Sequence, residues 1–465
     1  MTETVQCISP VDGSVYAERP LVQTKDIESA CAAAARAQAE WRQLAISERA
    51  DYCERAVGAM EAMRADIVPE LAWQMGRPVA QGPSEIGGFA ERARHMIAIA
   101  TSSLADIVPE PKPGFTRAIR REPRGIVFTI APWNYPYLTA VNSVIPALMA
   151  GNAVILKAAR QTLLAGERFQ QAFDAAGLPQ GLFCNLVLSH EQTAGIISAG
   201  LVDMVCFTGS VDGGKSIERS AAGHFIPTGL ELGGKDPAYV RADADIEFAI
   251  ENLVDGAFFN SGQSCCGIER IYVQKEIHGR FVAAFIDTAG RYRLGDPLDE
   301  ATTLGPMVNA TAADYVRGQT KAALTAGASA HLDEGAFPAS AAGTPYLAPQ
   351  VLTGVDHQMA VMREETFGPL VGIMGVTGDE EAITLMNDSP FGLTASVWTE
   401  DEDAAFRIAE RVDTGTFFMN RCDYLDPALA WTGVGDSGCG CTLSALGYEQ
   451  LTRPKSFHFR TRKAR

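Results

Sequence analysis

Gly125-Ile126-Val127-Phe128-Thr129-Ile130 is a short apolar run with β-branched residues, and it reads as a buried strand. It runs into Ala131-Pro132-Trp133-Asn134-Tyr135-Pro136, a loop stiffened by two prolines. Asn152–Leu156 and Met204–Thr208 are runs of the same kind, and Phe225–Leu232 makes a fourth. Between them, Thr162–Ala176 and Val211–Ala222 have helical texture and close at Gly177 and Gly223, plausible C-caps. Strands alternating with helices at this spacing predict parallel βαβ units, with helices over both faces of the sheet. Open sheets of this kind bind ligands beyond the carboxyl ends of their strands. The informative loops are therefore those after Ile130, Leu156 and Thr208.

Upstream, residues 24 to about 105 read as helical. Ala30–Trp41 is rich in alanine, the best helix former, and Asp26 and Glu28 suit the positive end of a helix dipole. Pro109, Pro111, Pro113 and Gly114 break the pattern, and Phe115–Arg121 resumes as an extended segment. Downstream, a second α/β pattern starts near Asp245. Asp245–Asn260 is a helical stretch, Arg270–Val273 a strand and Ile277–Tyr292 a helix, and the alternation continues to about Asn420. Gly295–Gly305 and Gly335–Pro345 read as surface loops. Ser456–Arg460 alternates again and is a candidate strand, pairing within the chain or with another subunit.

The 465 residues imply two or three domains. A formal net charge of -17 repels phosphate backbones, so nucleic acid is not an expected partner. The ten cysteines are scattered and include no CxxC pair. Cys439 and Cys441 form a CxC without a His/Cys cluster nearby, so no metal site is expected. Free thiols imply a reducing compartment. The start, Met1–Cys7, has neither a basic region nor an apolar core, and no run of about 18 apolar residues follows. The expectation is a cytoplasmic protein with no membrane association.

Several loops carry chemistry. Asn134 offers two N–H donors in a rigid loop, as a developing oxyanion requires, although taken alone it reads equally as a turn residue. Lys157 ends the second strand and suits a phosphate or ribose contact, or is simply solvated. Thr208-Gly209-Ser210 and Gly213-Gly214 open a helix whose N-terminus suits a pyrophosphate, but the spacing is not GxGxxG. Gly262-Gln263-Ser264-Cys265-Cys266 places a thiol in a Gly-containing loop, and Glu231 in Glu231–Lys235 is a candidate base.

Together these motifs resemble the aldehyde dehydrogenase superfamily. Ala131–Pro136, Phe207–Ser210, Leu230–Lys235, Gly262–Cys265 and Glu364-Glu365-Thr366-Phe367-Gly368-Pro369 occur in its order and approximate spacing, from about residue 8 to about 460. The resemblance implies an α/β fold: a Rossmann-like cofactor domain (1–105 and 124–232), an α/β catalytic domain (233–435) and a small β oligomerisation element (106–123 and 436–465). It implies Cys265 as nucleophile, Asn134 and the Cys265 N–H as oxyanion donors, and Glu231 as the base that activates water for hydrolysis. Cys266 is then structural. Relatives that pass the acyl group to coenzyme A typically lack the glutamate, so a free acid is the expected product.

The resemblance also implies NAD or NADP as cofactor. Trp133, Lys157 and Ser210 match positions near the adenosine ribose and pyrophosphate. Glu365 matches the residue that holds the nicotinamide ribose, with Phe367 at the same end, and Gly209 and Gly214 allow close helix approach. Many NAD-preferring relatives carry a glutamate three residues after the lysine, where this chain has Arg160, which a 2′-phosphate tolerates or pairs with. Tyr135, Leu138, Asn142, Arg421 and Tyr424 are expected along the substrate pocket. Arg421 is the candidate grip for a distal carboxylate, or a surface charge, and Tyr135, Tyr424 and Trp431 favour an apolar or aromatic tail. A medium-sized aldehyde or semialdehyde and a homodimer or homotetramer follow as expectations. The alternatives are a thiol esterase or acyl transferase using Cys265 alone, weakened because none of the seven histidines suggests a Cys–His pair, and a non-catalytic protein that kept the fold.

Overall fold

The computed structural model describes residues 3–461. Residues 1–2 and 462–465, at the outer ends of the expected cofactor domain and oligomerisation element, lie outside the described residues. The chain opens with a hairpin of β1 (Thr4–Ile8) and β2 (Val15–Pro20). Four helices follow, α1 (Thr24–Trp41), α2 (Ile46–Ala62), α3 (Arg64–Met75) and α4 (Gly82–Ser103), where the sequence reads as helical. After β3 (Phe115–Pro123) come β4 (Ile126–Ile130), α5 (Pro136–Met149), β5 (Ala153–Lys157), α6 (Leu163–Ala175), β6 (Phe183–Asn185), α7 (His190–Ser198), β7 (Met204–Thr208), α8 (Val211–Ala221) and β8 (Thr228–Glu231).

The first sheet has the order β8-β7-β4-β5-β6, all parallel. Every residue of β4 and β5 is buried, as a strand covered on both faces must be, which explains their unbroken apolar sequence. The chain steps from β4 to β5 and β6 on one side, then returns to β7 and β8 on the other. The loops leaving β4 and β5, one side, and β7, the other, therefore diverge and open a crevice at the strands' carboxyl ends. β8 starts three residues later than its sequence suggests. Phe225 turns outward with φ 53°, fully exposed, and Pro227 has no donor to give.

A second sheet contains β9 (Asp236–Val240) and, after α9 (Ile246–Phe258), β10 (Ile268–Gln274). The strands that complete it are Ser329–Ala330, Gln350–Thr353, Leu370–Val376, Thr394–Trp398 and Thr416–Met419. Its seven strands are parallel apart from the short edge strand Ser329–Ala330. One apolar cluster packs the first sheet between its helices, and two more cover the faces of the second. Gly438–Cys439 returns to the edge of the first sheet beside β8, so the chain leaves the two sheets only at Thr452. From there Thr452–Arg460 pairs antiparallel with β3 along nine residues, a two-stranded ribbon separate from both sheets. No helix among the described residues is long and apolar enough to cross a membrane.

Candidate active site

The cysteine loop begins where α9 stops. Asn260, Ser261 and Gly262 take left-handed φ values of 51°, 58° and 70° in succession. Gly262 is required there, because a Cβ would lie 2.3 Å from the Gly368 carbonyl oxygen. Two left-handed non-glycine residues are costly and persist only when their surroundings over-determine them. Here the surroundings do. Asn260 Oδ1 accepts from Arg77 Nε (3.2 Å), the Asn260 N–H donates to Gln81 Oε1 (3.1 Å), and Ser261 Oγ donates to the Gly305 carbonyl (2.8 Å). The Gln263 amide uses both ends, donating to the Asn260 carbonyl (3.1 Å) and accepting from the Val308 N–H (2.8 Å).

This framework presents Cys265, half-buried, to a cavity of about 310 Å³. Glu231, at the carboxyl end of β8, lines the same cavity. Its two oxygens accept from Thr442 Oγ1 (2.6 Å) and Thr208 Oγ1 (2.9 Å). Burial pushes its carboxyl above the ordinary glutamate range, and the two threonine hydroxyls oppose that shift. Asn134 is buried next to the cavity-lining Tyr135, and its Nδ2 donates to the carbonyl of Gln263 (3.1 Å), two residues before the thiol. Cys266 is buried behind Cys265 with its sulfur 3.0 Å from Asp423 Oδ1.

Arg77 ties the Asn134 loop to the cysteine loop, and sequence reasoning passed over it. It is buried, its Nη2 donates to the Asn134 carbonyl, its Nη1 pairs with the buried Glu85, and its guanidinium lies 4.4 Å from the Tyr135 ring centre. Glu85 in turn accepts the Tyr137 and Leu138 N–H groups at the start of α5, where a carboxylate satisfies unpaired donors. The only sequence signal was a charged residue at the α3–α4 junction, between Gly76 and Pro78.

A second, larger cavity of roughly 1520 Å³ also reaches the cysteine loop, at Gln263. Trp133, Arg160, Glu365 and Phe367 share its wall. The Trp133 and Phe367 rings meet edge to face, with centres 5.6 Å apart. Glu365 Oε1 accepts from the Gly234 N–H (3.1 Å), and a Cβ on Gly233 would lie 2.2 Å from that oxygen. Burial, helped by the nearby Glu269 charge, raises the Glu365 carboxyl to about 7. Glu269 also accepts the Thr366 and Phe367 N–H groups and pairs with Lys235, which fixes this segment.

Lys157, Gly209, Ser210 and Gly214 are not on that cavity wall. Lys157 is nearly buried at the end of β5, where burial lowers its pKa, and it has no ion pair among the described residues. Ser210 caps α8 by accepting from the Gly213 N–H (3.2 Å). The Gly209 N–H donates to the Glu231 carbonyl (3.0 Å), and Gly214 lets α8 approach Leu232, which a Cβ would meet at 2.8 Å. The crevice, the helix N-terminus behind Gly209 and the unpaired lysine are groups of the kind that suit a dinucleotide, while Trp133, Arg160, Glu365 and Phe367 are the ones that share the wall of the large cavity.

On the thiol side, Tyr135, Leu138, Asn142, Tyr424 and Trp431 line the smaller cavity as expected. Arg421 does not. It is exposed, and its guanidinium lies over the Tyr424 ring, 3.5 Å from the ring centre, as the solvated alternative would have it. The arginine on the wall is instead Arg92, from α4.

Residues 1–457 match the sequence model of the Aldehyde dehydrogenase family, and the chain belongs to that family. It is an oxidoreductase that oxidises an aldehyde to its acid with NAD(P). The succinate semialdehyde dehydrogenase [NAD(P)+] Sad of Escherichia coli K12 is 32% identical over 455 residues, 96% of this chain and 95% of that protein. The crystal structure of an aldehyde dehydrogenase from Brucella melitensis superposes with a TM-score of 0.95 at 27% identity, covering 99% of this chain and 95% of that one. A betaine aldehyde dehydrogenase from Staphylococcus aureus in complex with NAD+ gives 0.92 at 28% identity, with coverage of 99% and 94%.

Proposed function

We propose that the enzyme is the hydrolytic type and works through a thioester on Cys265. The observation that carries this reading is that Cys265 and Glu231 face one cavity while Asn134 is tied to the cysteine loop. The Cys265 thiolate adds to the aldehyde carbon, and the carbonyl oxygen takes the negative charge. The Asn134 amide and the Cys265 N–H stabilise that oxyanion. NAD(P), when bound, supplies the hydride acceptor. Oxidation leaves an acyl thioester on Cys265. Glu231 then takes a proton from the attacking water, and loss of the thiolate releases the acid.

Trp133, Lys157, Gly209, Ser210 and Gly214 hold the adenosine and pyrophosphate end in this reading, and Glu365 and Phe367 the nicotinamide end. Lys157 supports it as a nearly buried ammonium with no ion-pair partner among the described residues. Arg160 faces the large cavity in place of a carboxylate, so NADP is accepted, alongside NAD. The substrate is a medium-sized aldehyde or semialdehyde. The enzyme is a cytoplasmic homodimer or homotetramer, joined through strand edges such as that of the β3 ribbon.

A panel of aldehydes incubated with NAD or NADP, followed by reduced-nicotinamide absorbance, tests the activity. Ester hydrolysis without cofactor reduction would replace the reading with a thiol esterase. In kcat/KM for the two cofactors, an NAD preference of about a thousandfold, about 4 kcal/mol, would overturn the role given to Arg160.

A further inference from the structure

Burying a guanidinium without a counter-anion disfavours its charged form, so such groups pair with carboxylates inside proteins. Arg77 obeys this rule through Glu85. Arg92 does not. It is only 8% exposed, yet it enters no ion pair among the described residues. Its only hydrogen bonds come from Nη1, to the Leu138 carbonyl (2.6 Å) and Asn142 Oδ1 (3.3 Å). The N–H groups on Nε and Nη2 are unspent. Asn142 is 2% exposed, and its Nδ2 has no hydrogen-bond partner either. Both residues line the cavity that holds Cys265. One wall of the substrate cavity thus offers a cation with unspent N–H groups and an amide donor side by side, and the protein carboxylate that bears most on both is Glu231.

The other charged groups on this cavity are carboxylates. Asp423 Oδ1 is occupied by Ser264 Oγ (2.9 Å) and the Cys266 sulfur. Glu91 accepts from Tyr424 Oη (3.0 Å), and Asp255 is exposed. Glu231 is engaged by its two threonines. These acids repel an anion and leave Arg92 as the one positive side chain among the described residues along the cavity.

We propose that Arg92 and Asn142 form a subsite for a carboxylate at the far end of the substrate, so that the preferred substrates are short ω-oxo acids. A neutral acceptor would fill one hydrogen bond. A carboxylate has two oxygens, matches the guanidinium fork and supplies the missing counter-charge. This inference rests on Cys265 being the nucleophile, since that sets which end of the substrate lies at the thiol.

The test compares 4-oxobutanoate with butanal, which differ at the terminal carboxylate, and adds 4-aminobutanal. In the parent enzyme kcat/KM should favour the oxo acid over butanal by about a hundredfold, the scale of a buried charged pair. Arg92→Met should collapse that ratio by tenfold or more, through KM for the oxo acid, and Arg92→Lys should recover part of it. Asn142→Leu should lower the ratio by less. A general loss of structure would depress both aldehydes together and leave the ratio in place, which counts against the subsite. A parent ratio near one, or a preference for 4-aminobutanal, also overturns it. Silence with every aldehyde would sink the catalytic reading but not this one. Calorimetric binding of succinate against butanoate, in the parent and Arg92→Met, then decides: selective succinate binding lost in the variant supports the subsite, and equal binding refutes it.

Discussion

Replacing Glu231 with glutamine should separate the two halves of the proposed reaction. The side chains have nearly the same shape, and the surroundings accommodate the change. Thr442 and Thr208 each donate to one carboxylate oxygen, at 2.6 and 2.9 Å. The glutamine oxygen keeps one of these bonds. The other threonine hydroxyl rotates to accept from the new NH₂ group, since a hydroxyl can do either. The structural penalty is therefore the scale of one neutral hydrogen bond, about 1 kcal/mol. The chemical penalty is larger. A positioned general base contributes about 10²- to 10⁴-fold, or roughly 3–5 kcal/mol of barrier, and here that loss falls on deacylation alone. Rapid mixing with an aldehyde and NAD(P) should show a burst of about one reduced cofactor per Cys265, followed by a stall, and intact mass should show the acyl adduct. Because burial raises the Glu231 carboxyl, hydrolysis in the parent should rise with pH around a midpoint above the ordinary glutamate value. Turnover of Glu231→Gln at the parent rate would refute the assignment. Absence of the burst would move Glu231 to the acylation step.

Cys265→Ala should abolish turnover while cofactor binding, followed by fluorescence or calorimetry, persists, because the large cavity's wall does not include this side chain. Gly262→Ala should destabilise the fold by about 3 kcal/mol or more, since it combines a φ of 70° with a Cβ at 2.3 Å from a backbone oxygen; an unchanged denaturation midpoint would contradict that. Glu365→Gln gives a pH signature. The folded-state pKa of Glu365 is raised from 4.5 to about 7, so the folded protein holds this proton longer than the unfolded chain and loses stability as pH rises across that interval. The variant escapes the loss, and its stability relative to the parent should climb between about pH 4.5 and 7, by no more than about 3 kcal/mol. Denaturant melts at either end of the interval that give the same difference would refute it.

The sequence carried the parts of this protein that depend on local residue chemistry. β4 and β5 were legible because strands covered on both faces have unbroken apolar composition. The loops after β4 and β7 could be singled out because a parallel sheet presents its ligands at one end. Cys265 and Glu231 stood out within short motifs, and both reach the same cavity. The segment Phe225–Leu232 was read too long, since an apolar string does not reveal that Phe225 turns outward.

The arginines mark the limit. Arg77, Arg92 and Arg421 sit in sequence among ordinary helical or loop residues, and nothing within a few positions of each tells them apart. Folding buries the first against Glu85 and Asn134, aims the second at the thiol's cavity with no ion-pair partner among the described residues, and stacks the third on Tyr424 in solvent. Composition and order of residues determined that this chain builds parallel sheets and marked out the thiol and the carboxylate that meet at one cavity. Tertiary packing alone decided which guanidinium faces the thiol's cavity, because the energy of a buried charge depends on groups brought together from distant parts of the chain.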